Sequence, residues 1–357
     1  LCRERDAMLH LRAPELAFQG HEVDAYLALS TGAPADARVS ALLTKDTCGW
    51  PALVALMAPK ELDSPFVGPR DIALRRFVVD EVLADLSPPA RYVLKAVSVL
   101  DAVELSSARA LLSTPVNGRQ LRGPISRFIS VPEAQVSKHL EELRRRQLIL
   151  ACAHGDHGHL NPLLRQVLVM LFENEDSKAF RLAHHRVAEH YLSEAVDADR
   201  AVVEHLIEAG DLERVMALLE ERVDGLCAEG GTEGIGRWLK ALEAHFNGLP
   251  PWAAYYLSLA CLEEGDLDRA RTNLERCRSA LKTFDEAGLL WRWQPRVCLG
   301  FATLSWRRGV SDEARTYSQR GLAFIAQLWR RDSVAPENVD ELRRLELGLR
   351  ELLTTLK

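Results

Sequence analysis

Gly265-Asp266-Leu267-Asp268-Arg269-Ala270 is the stretch that decides the fold. The glycine can turn left-handed and close one helix, and the aspartate beside it caps the next. The alanine five positions past the glycine lets the two helices approach closely. The same pattern stands at Gly210-Asp211-Leu212-Glu213-Arg214 and at Gly309-Val310-Ser311-Asp312-Glu313-Ala314. The intervals between these glycines, 55 and then 44 residues, exceed the tetratricopeptide period of about 34. The hairpins are therefore long and irregular, and they are expected to stack as a solenoid. Working outward, apolar residues at helical spacing predict helices near 161–174, 178–196, 199–209, 211–229, 232–246, 251–264, 266–284, 288–308, 311–330 and 336–356.

Upstream the pattern changes. Residues 1–60 read as two or three short helices, including Gly20 to Leu29 and Pro51 to about Ala58, with a turn over Thr44 to Pro51. Pro59, Pro65 and Pro69 mark a linker. One helix is expected from Asp71 to Leu86. Ser87-Pro88-Pro89 caps the next, since serine accepts from orphan N–H groups and proline fits a first turn. A further helix covers about 104–112, and 113–131 is a loop. Pro132-Glu133 opens a helix running to Gln147 with Val136, Leu140 and Leu143 on its apolar face. Leu148 to Ala153 has strand character, His154-Gly155-Asp156-His157-Gly158 is a turn, and His159-Leu160 begins the return strand. Helices followed by a hairpin are the order of a winged helix. The expected fold class is all-α with one small β-hairpin. The expected domains are 1–70 (end of a helical lid and linker), 71–174 (winged helix) and 175–357 (tetratricopeptide-like superhelix).

Composition bounds the function. The chain has 357 residues, 47% of them apolar and 27% charged, and aromatic residues are few at 6%. That suits a helical protein of two or three units. A net charge of −6 gives no global attraction to nucleic acid. Seven dispersed cysteines without a CxxC pair point to reduced thiols and a cytoplasmic setting. No apolar run reaches the roughly 18 residues of a membrane span, so no membrane partner is expected. The first residue is Leu1 rather than methionine, which reads as a piece of a longer or processed chain. No GxxxxGK[ST] occurs, and no Ser/His/Asp or paired-carboxylate arrangement stands out, so no catalytic residue and no enzyme activity is expected.

Several ordered segments carry a family resemblance. Thr47-Cys48-Gly49-Trp50-Pro51-Ala52-Leu53, Phe77 to Leu83, Val97 to Asp101, His159 to Leu164, Ala188-Glu189-His190-Tyr191 and Trp238 to Leu242 with Leu249-Pro250 are such segments. Together they resemble the large ATP-binding LuxR-type transcriptional activators, the group of the maltose regulator. That family places a STAND (signal-transduction NTPase with numerous domains) ATPase core ahead of a helical lid. A winged helix and an effector-sensing superhelix follow. The resemblance implies a transcription-regulating sensor module whose superhelix takes a small-molecule or protein effector, with oligomerisation open. It implies ATP or ADP as cofactor only where an N-terminal NTPase core is present, and none for this chain alone. It also implies that the proline of Gly49-Trp50-Pro51 packs on adenine. The position before Pro162, usually a phosphate-sensing histidine, is here Asn161, which carries no charge; an ordinary helix cap is the other reading.

Two further features have readings of their own. Ser137, Lys138, His139, Arg144 and Arg145 sit where a DNA-recognition helix would present them, with Arg146, Arg119, Arg122 and Arg127 nearby. This is the alternative function, a winged-helix DNA-binding factor using the 132–147 helix; Glu133, Glu141 and Glu142 interrupt the basic face. His154, Asp156, His157 and His159 share one hairpin, but one segment rarely supplies a closed metal site, so no metal is expected. Trp291, Trp293, Trp306 and Trp329 are read as packing residues or as an aromatic inner surface for an effector.

Overall fold

The computed structural model describes residues 13–34, 36–58, 72–113, 131–151, 157–194, 199–228, 232–246, 248–283, 290–330 and 339–356. Among them the protein is helical throughout apart from one two-stranded sheet. It divides into two compact units, residues 1–210 and 211–357.

The first unit opens with α1 (Ala13–Leu16), α2 (Gly20–Thr31), α3 (Ala37–Thr47) and α4 (Pro51–Met57). The sequence left the third of its two or three helices unplaced; it is α3, and the turn expected over Thr44 to Pro51 begins only at Cys48. The missed signal is Asp36, whose carboxylate accepts from Arg38 N at 2.8 Å and caps the helix. Val23, Leu27, Leu43, Val54, Met57 and Ala58 form a small core, and Leu163 joins it from a distant helix.

Next comes α5 (Ile72–Phe77), which runs into a π-helical turn at Val78–Leu83 instead of continuing as one α-helix to Leu86. The wider turn stacks Val78 and Leu83, five residues apart, on the same buried side. Then follow α6 (Pro88–Val97), α7 (Leu105–Leu112), α8 (Glu133–Arg145), β1 (Ile149–Ala151) and β2 (Gly158–Leu160). Ser87 caps α6 as expected, accepting from Ala90 N at 3.4 Å. The strands pair antiparallel with Ile149 opposite Leu160. Val103 adds a bridge to Gly158 on the sheet's other side, donating at 2.7 Å. His154, Gly155 and Asp156 of the expected turn and residues 114–130 with Arg119, Arg122 and Arg127 lie outside the described residues, while Gly158, expected in the turn, opens β2.

The unit closes with α9 (Pro162–Glu175), α10 (Ser177–Glu194) and α11 (Asp199–Ala209). The sequence placed a boundary near 174, whereas the compact unit extends to Gly210. The reason is the core: Ala179, Phe180, Ala183 and Val187 of α10 are buried with α6, α7, α8 and α9 in one apolar cluster.

The second unit contains α12 (Leu212–Ala228), α13 (Thr232–His245), α14 (Pro251–Glu264), α15 (Leu267–Thr283), α16 (Leu290–Arg307), α17 (Ser311–Arg330) and α18 (Val339–Thr355). Each packs on its successor, and α14 also touches α16, as α16 touches α18, which is the contact pattern of stacked helical hairpins. The joints follow the sequence. Gly265 (φ 83°) and Gly309 (φ 76°) are left-handed, and Asp266 N and Val310 N reach back to Cys261 O and Ser305 O, each at 2.9 Å. Ala270 and Ala314 are fully buried where the paired helices meet. At Gly236 a Cβ would lie 2.5 Å from that of Ala260, so α13 and α14 approach more closely than any side chain permits.

Candidate functional site

The first unit holds a cavity of about 1090 Å³ in which residues far apart in sequence meet. Phe18, Trp50, Pro51, Leu148, Leu150 and Leu164 are among its apolar walls, and Arg146, Gln147 and His159 line it with polar groups. Its size and mixed lining are those of a small-molecule site.

One wall is the turn between α3 and α4. Thr47 is buried, its hydroxyl donates to Leu43 O at 2.6 Å and accepts from Gly49 N at 3.2 Å. Cys48 (φ 50°) and Gly49 (φ 70°) are both left-handed, a conformation that costs a non-glycine residue about 1 kcal/mol. Gly49 could not carry a side chain: a Cβ would lie 2.4 Å from Phe18 O, and Phe18 N donates to Gly49 O at 2.8 Å. The turn ends at Pro51 in the first turn of α4. Trp50 stands half-buried beside it, its ring edge-on to Phe77 at 5.8 Å. The predicted triplet thus offers a fixed aromatic and pyrrolidine wall.

Asn161 joins two segments. Its Oδ1 accepts from Leu163 N and Leu164 N (3.0 and 3.2 Å), capping α9. Its Nδ2 donates to Thr47 O at 2.7 Å. Burial pushes the Cys48 thiol up, Asn161 opposes this, and Asp46 adds to the rise. Only 4% of Asn161 is exposed. It ties the start of α9 to the 47–51 turn.

Arg146 and Gln147 enter the cavity because α8 ends early. Gln147 is left-handed (φ 59°) and Leu148 N returns to Leu143 O at 3.0 Å, where the sequence had the helix run on to Gln147. The turn brings Arg146 beside β1, its Nε 3.5 Å from Glu142 Oε1. Arg146 and Gln147 went unassigned to this site from sequence, because nothing local shows that this turn faces residues 47–52.

The five residues of the DNA alternative do not form one basic surface. Lys138 and Arg145 are exposed with Glu141 on the same helical face, while Ser137, His139 and Arg144 are half-buried. His139 Nδ1 lies 3.7 Å from Glu142 Oε2. Of the histidine-rich hairpin, His154 and Asp156 lie outside the described residues. Among those described, no group of three or more His, Cys, Asp or Glu could hold a metal ion.

Two further clusters were not read from the sequence. In the first unit, His184 and His205 meet Nδ1 to Nδ1 at 2.9 Å, packed by Phe180 and Tyr191. In the second, the guanidinium of Arg296 is buried under Trp293, 4.9 Å from that ring's centre. It donates to Glu341 (2.7 Å), Tyr256 (2.6 Å) and Asp224 (3.0 Å), joining four helices, and Tyr256 in turn donates to Asp224. Burial pushes the pKa of Arg296 down, but Tyr256 first, then Asp224 and Glu341, hold it above the ordinary guanidinium value. Trp293 is consumed in this network; Trp306 and Trp329 are partly exposed, and the side chain of Trp291 lies outside the described residues.

No protein-family model and no curated protein matches the sequence. Among solved structures, a signal transduction ATPase with numerous domains (STAND) and a tetratricopeptide repeat sensor, from Pyrococcus horikoshii, aligns with 87% of this chain at 14% identity and a TM-score of 0.36. The chain spans about half of that protein, 48% of its length. A score of this size does not establish a common fold. Among the described residues no helix is long and apolar enough to cross a membrane.

Proposed function

We propose that this chain is the regulatory and sensing portion of a STAND-type transcriptional regulator of the LuxR-type, maltose-regulator-like group. In this reading residues 71–174, α5 to α9, form a winged helix, and the cavity in the first unit takes the ring of an adenine nucleotide against Trp50 and Pro51. The second unit binds an effector, a small molecule or a protein, through its helical stack. The chain itself is a cytoplasmic switch component and not an enzyme.

The observation that carries this reading is the hydrogen bond from Asn161 to Thr47 O across 114 residues. It makes the helix after the hairpin and the Gly49-Trp50-Pro51 turn one rigid wall of the cavity. A ligand seated there touches the N-terminal helices, the α8–β1 turn and β2 together, which is what a relay requires.

Affinity for nucleotide is low in this chain alone. One adenine face on an apolar wall is worth about 1–2 kcal/mol by area, less than immobilising the ligand costs. A glycine-rich phosphate loop with its lysine would supply the rest. Titration calorimetry with ATP on the chain tests this: the expected dissociation constant is millimolar or weaker. Micromolar binding, or weak binding that Trp50→Ala leaves unchanged, overturns it.

A further inference from the structure

We infer that the second unit docks an acidic segment of a partner protein between α15 and α17, through Arg278 and Arg320 set over the stacked rings of Phe301 and Tyr317. This rests on the proposed role of that unit in binding an effector and names the chemistry of one: a peptide whose carboxylates flank apolar side chains.

The site draws on three helices. Both α15 and α17 pack on α16. Phe301 of α16 is buried, and its ring stacks on the half-buried Tyr317 of α17, with 4.9 Å between centres and 16° between planes. Arg278 reaches in from α15, its guanidinium 5.1 Å from the centre of the Phe301 ring and its Nη1 donating to Tyr317 Oη at 3.5 Å. Arg320 stands one turn beyond Tyr317 on α17, its guanidinium 6.0 Å from that ring. A guanidinium laid over a ring spends its face, and the N–H groups in its plane stay available. Most arginines nearby are already engaged. On α15, Arg269 and Arg276 hold Glu243, and Arg271 holds Glu275. On α17, Arg315 donates to Leu356 O. Arg278 and Arg320 are exposed and, among the described residues, meet no carboxylate. The rings restrict both side chains, so two forks stand ready for carboxylates with little further ordering.

The floor beneath these forks is aromatic, and the half-buried Phe324 continues it one turn past Arg320. A peptide suits such an alternation of basic and apolar contacts. A nucleic acid does not: Glu275 stands one turn before Arg278 and Glu313 one turn before Tyr317, and both would oppose a continuous run of phosphates.

Fluorescence anisotropy on the whole chain tests this with a labelled peptide, Glu-Glu-Phe-Glu-Glu-Leu, beside a single-stranded DNA of equal charge. Wild type is expected to bind the peptide with a dissociation constant of about 100 μM or below at low salt, weakening as salt is added. Arg278→Gln and Arg320→Gln should each weaken binding roughly tenfold, and Arg278→Lys should recover part of its loss. Arg330→Gln makes the same charge change at the far end of α17, away from the rings, and should alter binding by less than about twofold. Thermal melting verifies that each variant folds. Absence of peptide binding to wild type overturns the inference, and so does equally tight binding of the DNA. Where binding survives both glutamine changes, the assignment to this face is overturned, and a photo-crosslinking form of the peptide then separates the two readings. Adducts elsewhere in the second unit leave the effector reading standing; adducts in the first unit overturn it as well.

Discussion

Acidification should loosen the first unit well before carboxylates titrate, because of His184 and His205. Burial first, then His205 and Arg165, push the His184 imidazole down to about 3. Burial pushes His205 down to about 4, with Arg165 acting the same way and Asp101 opposing. At a separation of 2.9 Å one ring must donate and the other accept. His184 Nε2 is buried without a partner, and an orphan acceptor costs less than an orphan N–H, so His184 Nδ1 is the donor and His205 Nδ1 the acceptor. Both folded values lie below the unfolded one, near 6.5. The unfolded chain therefore takes up protons that the fold excludes. The associated stability is complete above pH 6.5 and is lost as pH falls from there towards 4. At pH 5 the loss is about 2 kcal/mol for each ring. The two rings repel once charged, so the pair loses between about 2 and 4 kcal/mol. Urea unfolding at pH 7 and pH 5, followed by hydrogen exchange of α10 and α11, measures this. The double variant His184→Leu with His205→Leu replaces both partners by apolar groups and should be nearly as stable at pH 7. It should also lose most of the pH difference. An unchanged difference in the double variant refutes the reasoning.

Three other outcomes follow from the same geometry. Arg296→Met should cost about 3 kcal/mol in urea unfolding of the second unit, the figure held down by the partial exposure of Asp224 and Glu341. Arg296→Lys should recover less than half of that, since a lysine cannot span Glu341, Tyr256 and Asp224 at once; full recovery would contradict the network. Gly49→Ala should lower stability by about 2 kcal/mol or more, from the Phe18 O contact and the positive φ, as read by thermal melting. The chain should give no gel shift with duplex DNA at physiological salt, because Glu141 divides Lys138 from Arg145. A shift abolished by changing Lys138, Arg144 and Arg145 to alanine would favour the DNA-binding alternative.

Where the sequence was legible, local chemistry was the reason. The second-unit joints could be placed to within a few residues because a left-handed glycine and a capping aspartate act within one turn. Ser87 and the α8 core residues Val136, Leu140 and Leu143 were readable on the same grounds. What escaped depends on distance. Asn161 was recognisable as a cap, but its bond to Thr47 joins elements that no local pattern connects. Arg146 lines the cavity only because Gln147 breaks the helix, and no glycine announces that break. Arg296 had a faint signal, a charge between Trp293 and Val297-Cys298 within the mostly buried stretch 293–305. Its partners lie 40, 45 and 72 residues away. The boundary at Gly210 was hidden because α10 reads as one more helix in an all-helical run, and its burial in the first core is what distinguishes it.

The central claim, that a ring-bearing ligand sits against Trp50 in the cavity of the first unit, is tested most directly by the indole N–H spectrum. The chain has seven tryptophans, and Trp50 is the one that lines the cavity. With indole-labelled protein, assigned through Trp50→Phe, adenosine should shift the Trp50 resonance and leave those of Trp293, Trp306 and Trp329 in place. A response from the second-unit tryptophans with Trp50 unmoved would contradict the account.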